Sequence, residues 1–106
     1  MRGDQFKEYV LDQLRDVDGV NCRPMFGGHG LYSGPTFFGI LYRGQLFFKT
    51  SDSTRAKYEE RGSQPFKPSE KQTLRNYFEV PPDVIEQRVT LCEWANEAID
   101  LSHERD

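Results

Sequence analysis

Between Val20 and Thr50 the chain abandons helical spacing and breaks into short aromatic runs, each bounded by Gly or Pro. Cys22–Phe26, Gly30–Ser33, Thr36–Tyr42 and Gln45–Thr50 have the length and composition of strands. SGPT at 33–36 and RGQ at 43–45 carry turn chemistry, and Gly44 is free to take a positive φ between ILYR and QLFFKT. This predicts a three-stranded antiparallel meander whose first strand is long and interrupted. A sheet of that kind has an apolar face that helices must cover.

Helical patterns flank it. Phe6, Val10, Leu14 and Val17 recur at helical spacing within 4–17, with Asp4 as N-cap and Gly19 as the stop. SDSTRAKYEERG reads as a short polar helix across an edge of the sheet, capped by Ser51, Asp52 or Ser53 and stopped at Gly62. Its only larger apolar groups are Ala56 and Tyr58. A short strand at Phe66 and a better one over Thr73–Val80, stopped by Pro81, come next. The last helix opens on proline, with Asp83 and Glu86 at the positive end of its dipole. Val84, Ile85, Val89, Leu91, Cys92, Ala95, Ala98 and Ile99 form its apolar stripe, and the SHERD tail is expected to fray. The fold class is α+β, a two-layer sandwich of an antiparallel sheet with helices on one face, in the order α-β-β-β-α-β-β-α. Residues 1–106 make one domain.

Composition narrows the function. No apolar run approaches a membrane helix and no secretory leader opens the chain, so a cytoplasmic protein is expected. A net charge of -3 argues against a non-specific nucleic-acid binder. Cys22 and Cys92 are expected as reduced thiols, and with His29 and His103 they have no zinc-site spacing. No metal or cofactor is expected.

RPMFGGHGLY, residues 23–32, is the one motif rich enough in glycine to hold chemistry. A phosphate loop would need GxxxxGK[ST], and a dinucleotide fingerprint would open a helix; here another strand follows. The glycines therefore read as a bulge or close backbone approach. His29 has no nucleophile motif beside it, and an exposed histidine in the bulge is preferred to a catalytic base. Arg23, Arg43 and Lys49 either form a basic surface for a partner or serve as strand-edge charges. Trp94 reads as core, while Tyr77-Phe78 is a possible interface anchor.

RPMFGGHGLY, then TFFGILYRGQLFFKT, QPFKP and NYFEVPPDVI, resembles the N-terminal domain of the TfoX/Sxy family of bacterial competence regulators. The most specific elements are MFGG, the lysine ending the third strand (Lys49) and Tyr-Phe-x-Val-Pro before the last helix. The resemblance implies the same α-β-β-β-α-β-β-α order. It also implies a non-enzymatic regulatory role, linked in the family to activating DNA-uptake genes with the cyclic-AMP receptor protein. Longer members carry a second, C-terminal helical domain, which this sequence does not include. What carries over is thus the fold, with no catalytic residue.

The expected function is a small interaction module for a protein partner such as a transcription regulator, acting as monomer or homodimer. Its candidate surface is Arg23, Phe26, His29, Tyr32, Arg43 and Lys49, shaped by the motif Met25, Phe26, Gly27, Gly28 and Gly30. The alternative is a small-molecule or enzymatic site in a pocket near Gly27–Gly30. Direct DNA binding is least favoured.

Overall fold

The computed structural model describes residues 3–25 and 27–103. Helix α1 spans Gly3–Gln13, and β1 (Val20–Met25), β2 (Gly28–Ser33), β3 (Thr36–Tyr42) and β4 (Gln45–Lys49) follow. Then come α2 (Asp52–Glu59), β5 (Pro65–Ser69), β6 (Gln72–Glu79), α3 (Pro82–Ile85) and α4 (Arg88–His103). The strands form one six-stranded antiparallel sheet in the order β1-β2-β3-β4-β6-β5. The α+β class and the element order stand, with two refinements: the interrupted first strand is the β1–β2 hairpin, and the last helix is divided.

The hairpin arises because Met25 pairs with Gly28, so the chain reverses at Gly27. Gly27 takes φ 81, the left-handed region such turns require. Gly28 is dictated by close approach: a Cβ there would lie 2.2 Å from the Leu41 carbonyl oxygen. The glycines thus make a turn and a close approach. The bulge lies elsewhere, in β3, where Leu31 faces Gly39 while Tyr32 faces Phe37. Phe38 is the extra residue, and it is fully buried.

Helices cover one face. Val10 and Leu14, with Leu91, Ala95 and Ala98 of α4, meet Leu31, Phe38, Leu46 and Phe48 of the sheet. Helix α1 ends at Gln13, short of Val17, because Arg15 and Val17 bond three residues back, to Asp12 and Leu14. That tightening still buries Leu14 and Val17. Asp4 lies inside the helix rather than capping it. Ser51 caps α2 in a reciprocal capping box with Thr54. This polar helix drops Tyr58 into the core, 4.7 Å from the Trp94 ring and 6.3 Å from Phe78. It therefore packs under β6, the strand next to the edge, rather than across the edge itself.

Pro82 starts the single turn of α3, and α4 restarts at Arg88. The break changes the helical phase and leaves Val89 74% exposed, outside the apolar stripe. Helix order continues through Ser102, which is buried and donates to the Ala98 carbonyl, and His103; the rest of the tail lies outside the described residues. Cys22 and Cys92 are free thiols, each half-buried against the core.

Both sheet edges contain proline. Gly34 donates to the Gly19 carbonyl, so along β1 the amides of residues 20, 22 and 24 face away from β2, and Pro24 occupies one of those positions. The opposite edge strand, β5, holds Pro65 and Pro68.

Candidate functional site

The face away from the helices is built from aromatic side chains. Ile40, Phe47 and Phe66 form a second buried cluster, flanked by Met25, Phe37, Tyr42, Leu74 and Tyr77, with no helical residue among them. Alternation along β4 explains half of this, since Leu46 and Phe48 face the helices and Phe47 faces away. The bulge explains the rest, because it resets the phase of β3 so that Phe37 and Ile40 share the outer face.

The rings form a nearly continuous layer. Tyr32 lies 5.3 Å from Phe37, and Phe37 lies 5.5 Å from Tyr77. At the other end Phe66 reaches across from the edge strand to within 4.8 Å of Phe47 and 5.2 Å of Tyr42. The β5–β6 hairpin, with its two register irregularities, curls over this part of the face. Such ring pairs contribute about 0.5–1.5 kcal/mol each beyond area burial.

Cations sit around the layer. The Arg23 guanidinium lies 4.5 Å over the Tyr32 ring, and that of Arg43 lies 5.1 Å over Tyr42. Lys49 stands opposite Tyr77 across the β4–β6 ladder, which places both on the same face. Arg23 and Arg43 are exposed, and Lys49 is half-buried.

The six-residue surface expected from sequence is therefore divided. Arg23, Tyr32, Lys49 and the stacked Arg43 belong to the aromatic face. His29 pairs with Leu41, whose side chain enters the helix-side core, so His29 points to the other side of the sheet. Phe26 lies outside the described residues. His29 is half-buried rather than exposed and lines a cleft of about 210 Å³ with Phe6, Lys7 and the β1–β2 and β3–β4 turns. Of the glycine motif, Met25 packs against the aromatic layer, and a Cβ on Gly30 would sit 3.0 Å from both the Met25 sulfur and the Phe37 ring.

Sequence reading missed Phe37 and Tyr42 as half-buried members of this face, and Phe66 as the buried ring they pack against. Alternation in QLFFK could have flagged an outward Phe47, but the β3 bulge hides the outward register of Phe37. Among the described residues no cluster of His, Cys, Asp and Glu could hold a metal, and no helix is long and apolar enough to cross a membrane.

Comparison with known proteins adds the lineage. The TfoX N-terminal domain family matches residues 12–102. The DNA transformation protein TfoX1 of Aliivibrio fischeri is 32% identical over 98 residues, covering 91% of this chain and 47% of that protein. The chain thus spans about half the length of this curated relative.

Proposed function

Because the chain belongs to the TfoX N-terminal domain family, we propose that it is a non-catalytic regulatory domain that binds a protein partner through the aromatic face of its sheet. Its relative's role in DNA transformation suggests the setting, with a transcription regulator as the kind of partner. One observation carries the reading: a layer of Tyr and Phe rings without a helix over it, with Arg23 and Arg43 stacked at its margin. Aromatic residues and arginine are the types enriched where proteins meet, and they dominate binding energy there. The guanidiniums also favour a partner surface that carries carboxylates.

The test is affinity capture of tagged protein from nuclease-treated lysate of its own host, beside the double variant Arg23→Glu with Lys49→Glu, first checked for folding. A partner retained by the native chain and lost by the variant supports the reading. Equal capture by both, or recovery of nothing but the tagged chain, overturns it.

A further inference from the structure

Resting on the reading of the aromatic face as the partner-binding surface, we propose that what docks there is an amphipathic α-helix of the partner, with carboxylates flanking its apolar stripe.

Backbone chemistry decides between a helix and an extended segment. The peptide groups of the sheet lie in its plane and bond between neighbouring strands, so the outer face presents side chains. An extended segment laid over Phe37, Ile40 and Phe47 would bury a row of N–H and C=O groups against carbon. A helix bonds its own backbone and offers only side chains. The opposite side of the same sheet is already covered in this way, by Val10 and Leu14 of α1 and Leu91 and Ala95 of α4. A helix on the outer face would complete a third layer.

Charge selects which helix. Glu79 is the single Asp or Glu within the six strands, although the chain carries 17. Arg23, Lys49, Lys67 and Arg75 stand in those strands, and Arg43 joins them from the β3–β4 turn with its guanidinium stacked on Tyr42. The acidic groups are thus gathered on helices and connections, and the sheet is left positive. A second copy meeting it through the same face would set like charges together, whereas a helix edged with carboxylates complements it.

Strand pairing sets the interval between those carboxylates. Arg23 lies opposite Gly30 and Gly30 opposite Ile40, three residues before Arg43. With strands ~4.8 Å apart and a rise of ~3.3 Å per residue, the two arginines stand roughly 14 Å apart on a diagonal across the face. At ~1.5 Å per residue that distance is about nine residues of helix, between two and three turns.

The experiment selects from a phage-displayed library of random peptides of about 18 residues, long enough to form a helix, on the whole native chain. The library is first depleted on the double variant Arg23→Glu with Arg43→Glu, whose fold is checked by circular dichroism. Enriched sequences should repeat apolar residues every three to four positions, carry Asp or Glu two to three turns apart, and gain helix on binding. The best of them, as a free peptide, should bind about tenfold more weakly to Arg43→Asn, an exchange that suits the φ of 49 at that turn. Enrichment of basic helices, of sequences alternating every second residue or of proline-rich ones would overturn the acidic helix while leaving the face as the partner surface. No enrichment over the double variant would overturn both. A single-stranded oligothymidylate that displaces the bound peptide at a lower concentration than free peptide does would make the face a nucleic-acid platform, and would also overturn both.

Discussion

The Gln13 side-chain amide donates to the Ile85 carbonyl across 2.8 Å, tying the last residue of α1 to the last residue of α3, 72 positions away. The Cys92 thiol, in turn, donates to the carbonyl of Gln13 at 3.4 Å, so one residue links three helices. The divided last helix is held in place by this junction. Replacing Gln13 with Ala strands the Ile85 carbonyl and should cost about 1 kcal/mol, lowering the thermal midpoint by roughly 4–8 °C in a domain of this size. Unfolding followed by circular dichroism measures this, and an unchanged midpoint would show the link to be idle.

Tyr58 is fully buried, and its hydroxyl has no hydrogen-bond partner among the described residues. Tyr58→Phe should therefore raise stability by about 1 kcal/mol, because it removes a desolvated polar group and keeps the ring packing on Trp94. Denaturant titration decides the sign.

Burial, and then the charge of Glu97, push the Tyr58 phenol far above the ordinary tyrosine range. The folded state thus keeps this proton when the unfolded chain has lost it. Its contribution is complete below the unfolded value of about 10 and declines as pH rises past that value. One of the five tyrosines should ionise only when the protein unfolds, visible as a late step in tyrosinate absorbance. Five tyrosines titrating together in folded protein would contradict the burial.

Gly28→Ala would place a methyl group 2.2 Å from a backbone oxygen of the neighbouring strand. Backbone cannot move aside as a flexible side chain does, so β2 and β3 must separate locally. A loss of at least ~3 kcal/mol is expected, against about 0.5 kcal/mol or less for an ordinary surface substitution. Chemical denaturation of the variant checks it.

Burial first, then the Asp16 charge, raise the Cys92 thiol above its usual value, with Arg88 opposing. In a Cys22→Ser background, Cys92 should react with iodoacetamide more slowly than free cysteine at mildly alkaline pH, since thiolate is the nucleophile. Mass spectrometry of the alkylation time course measures the rate, and a rate equal to that of free cysteine would refute the shift.

The sequence exposed what depends on local pattern. The helix-side core of Val10, Leu14, Leu91 and Ala95 followed from 3.6-residue spacing, and the Arg43-Gly44 turn from its flanking apolar runs. What it hid depends on pairing between distant strands. The reversal at Gly27 looked like a bulge because only the pairing of Met25 with Gly28 reveals a two-residue loop. The side of the sheet taken by His29 is set by its partner Leu41, and the outward turn of Phe37 by an irregularity in register. Val89 left the apolar stripe because α4 restarts its phase at Arg88. Arg23 and His29, six residues apart in RPMFGGHGLY, parted because strand pairing puts them on opposite faces of the sheet.

Proline at both margins of the sheet governs how this protein can meet others. Pro24 withdraws one of the three outward donors of β1, and β5 carries two prolines in five residues. A visiting strand would find a broken ladder on either side, so lengthening the sheet by a seventh strand is disfavoured. Companions, including another copy, are left with flat contact on side chains. On the proposed reading of the aromatic face, recognition would then rest on shape and ring chemistry, which can tell one companion from another, rather than on backbone, which every extended peptide shares.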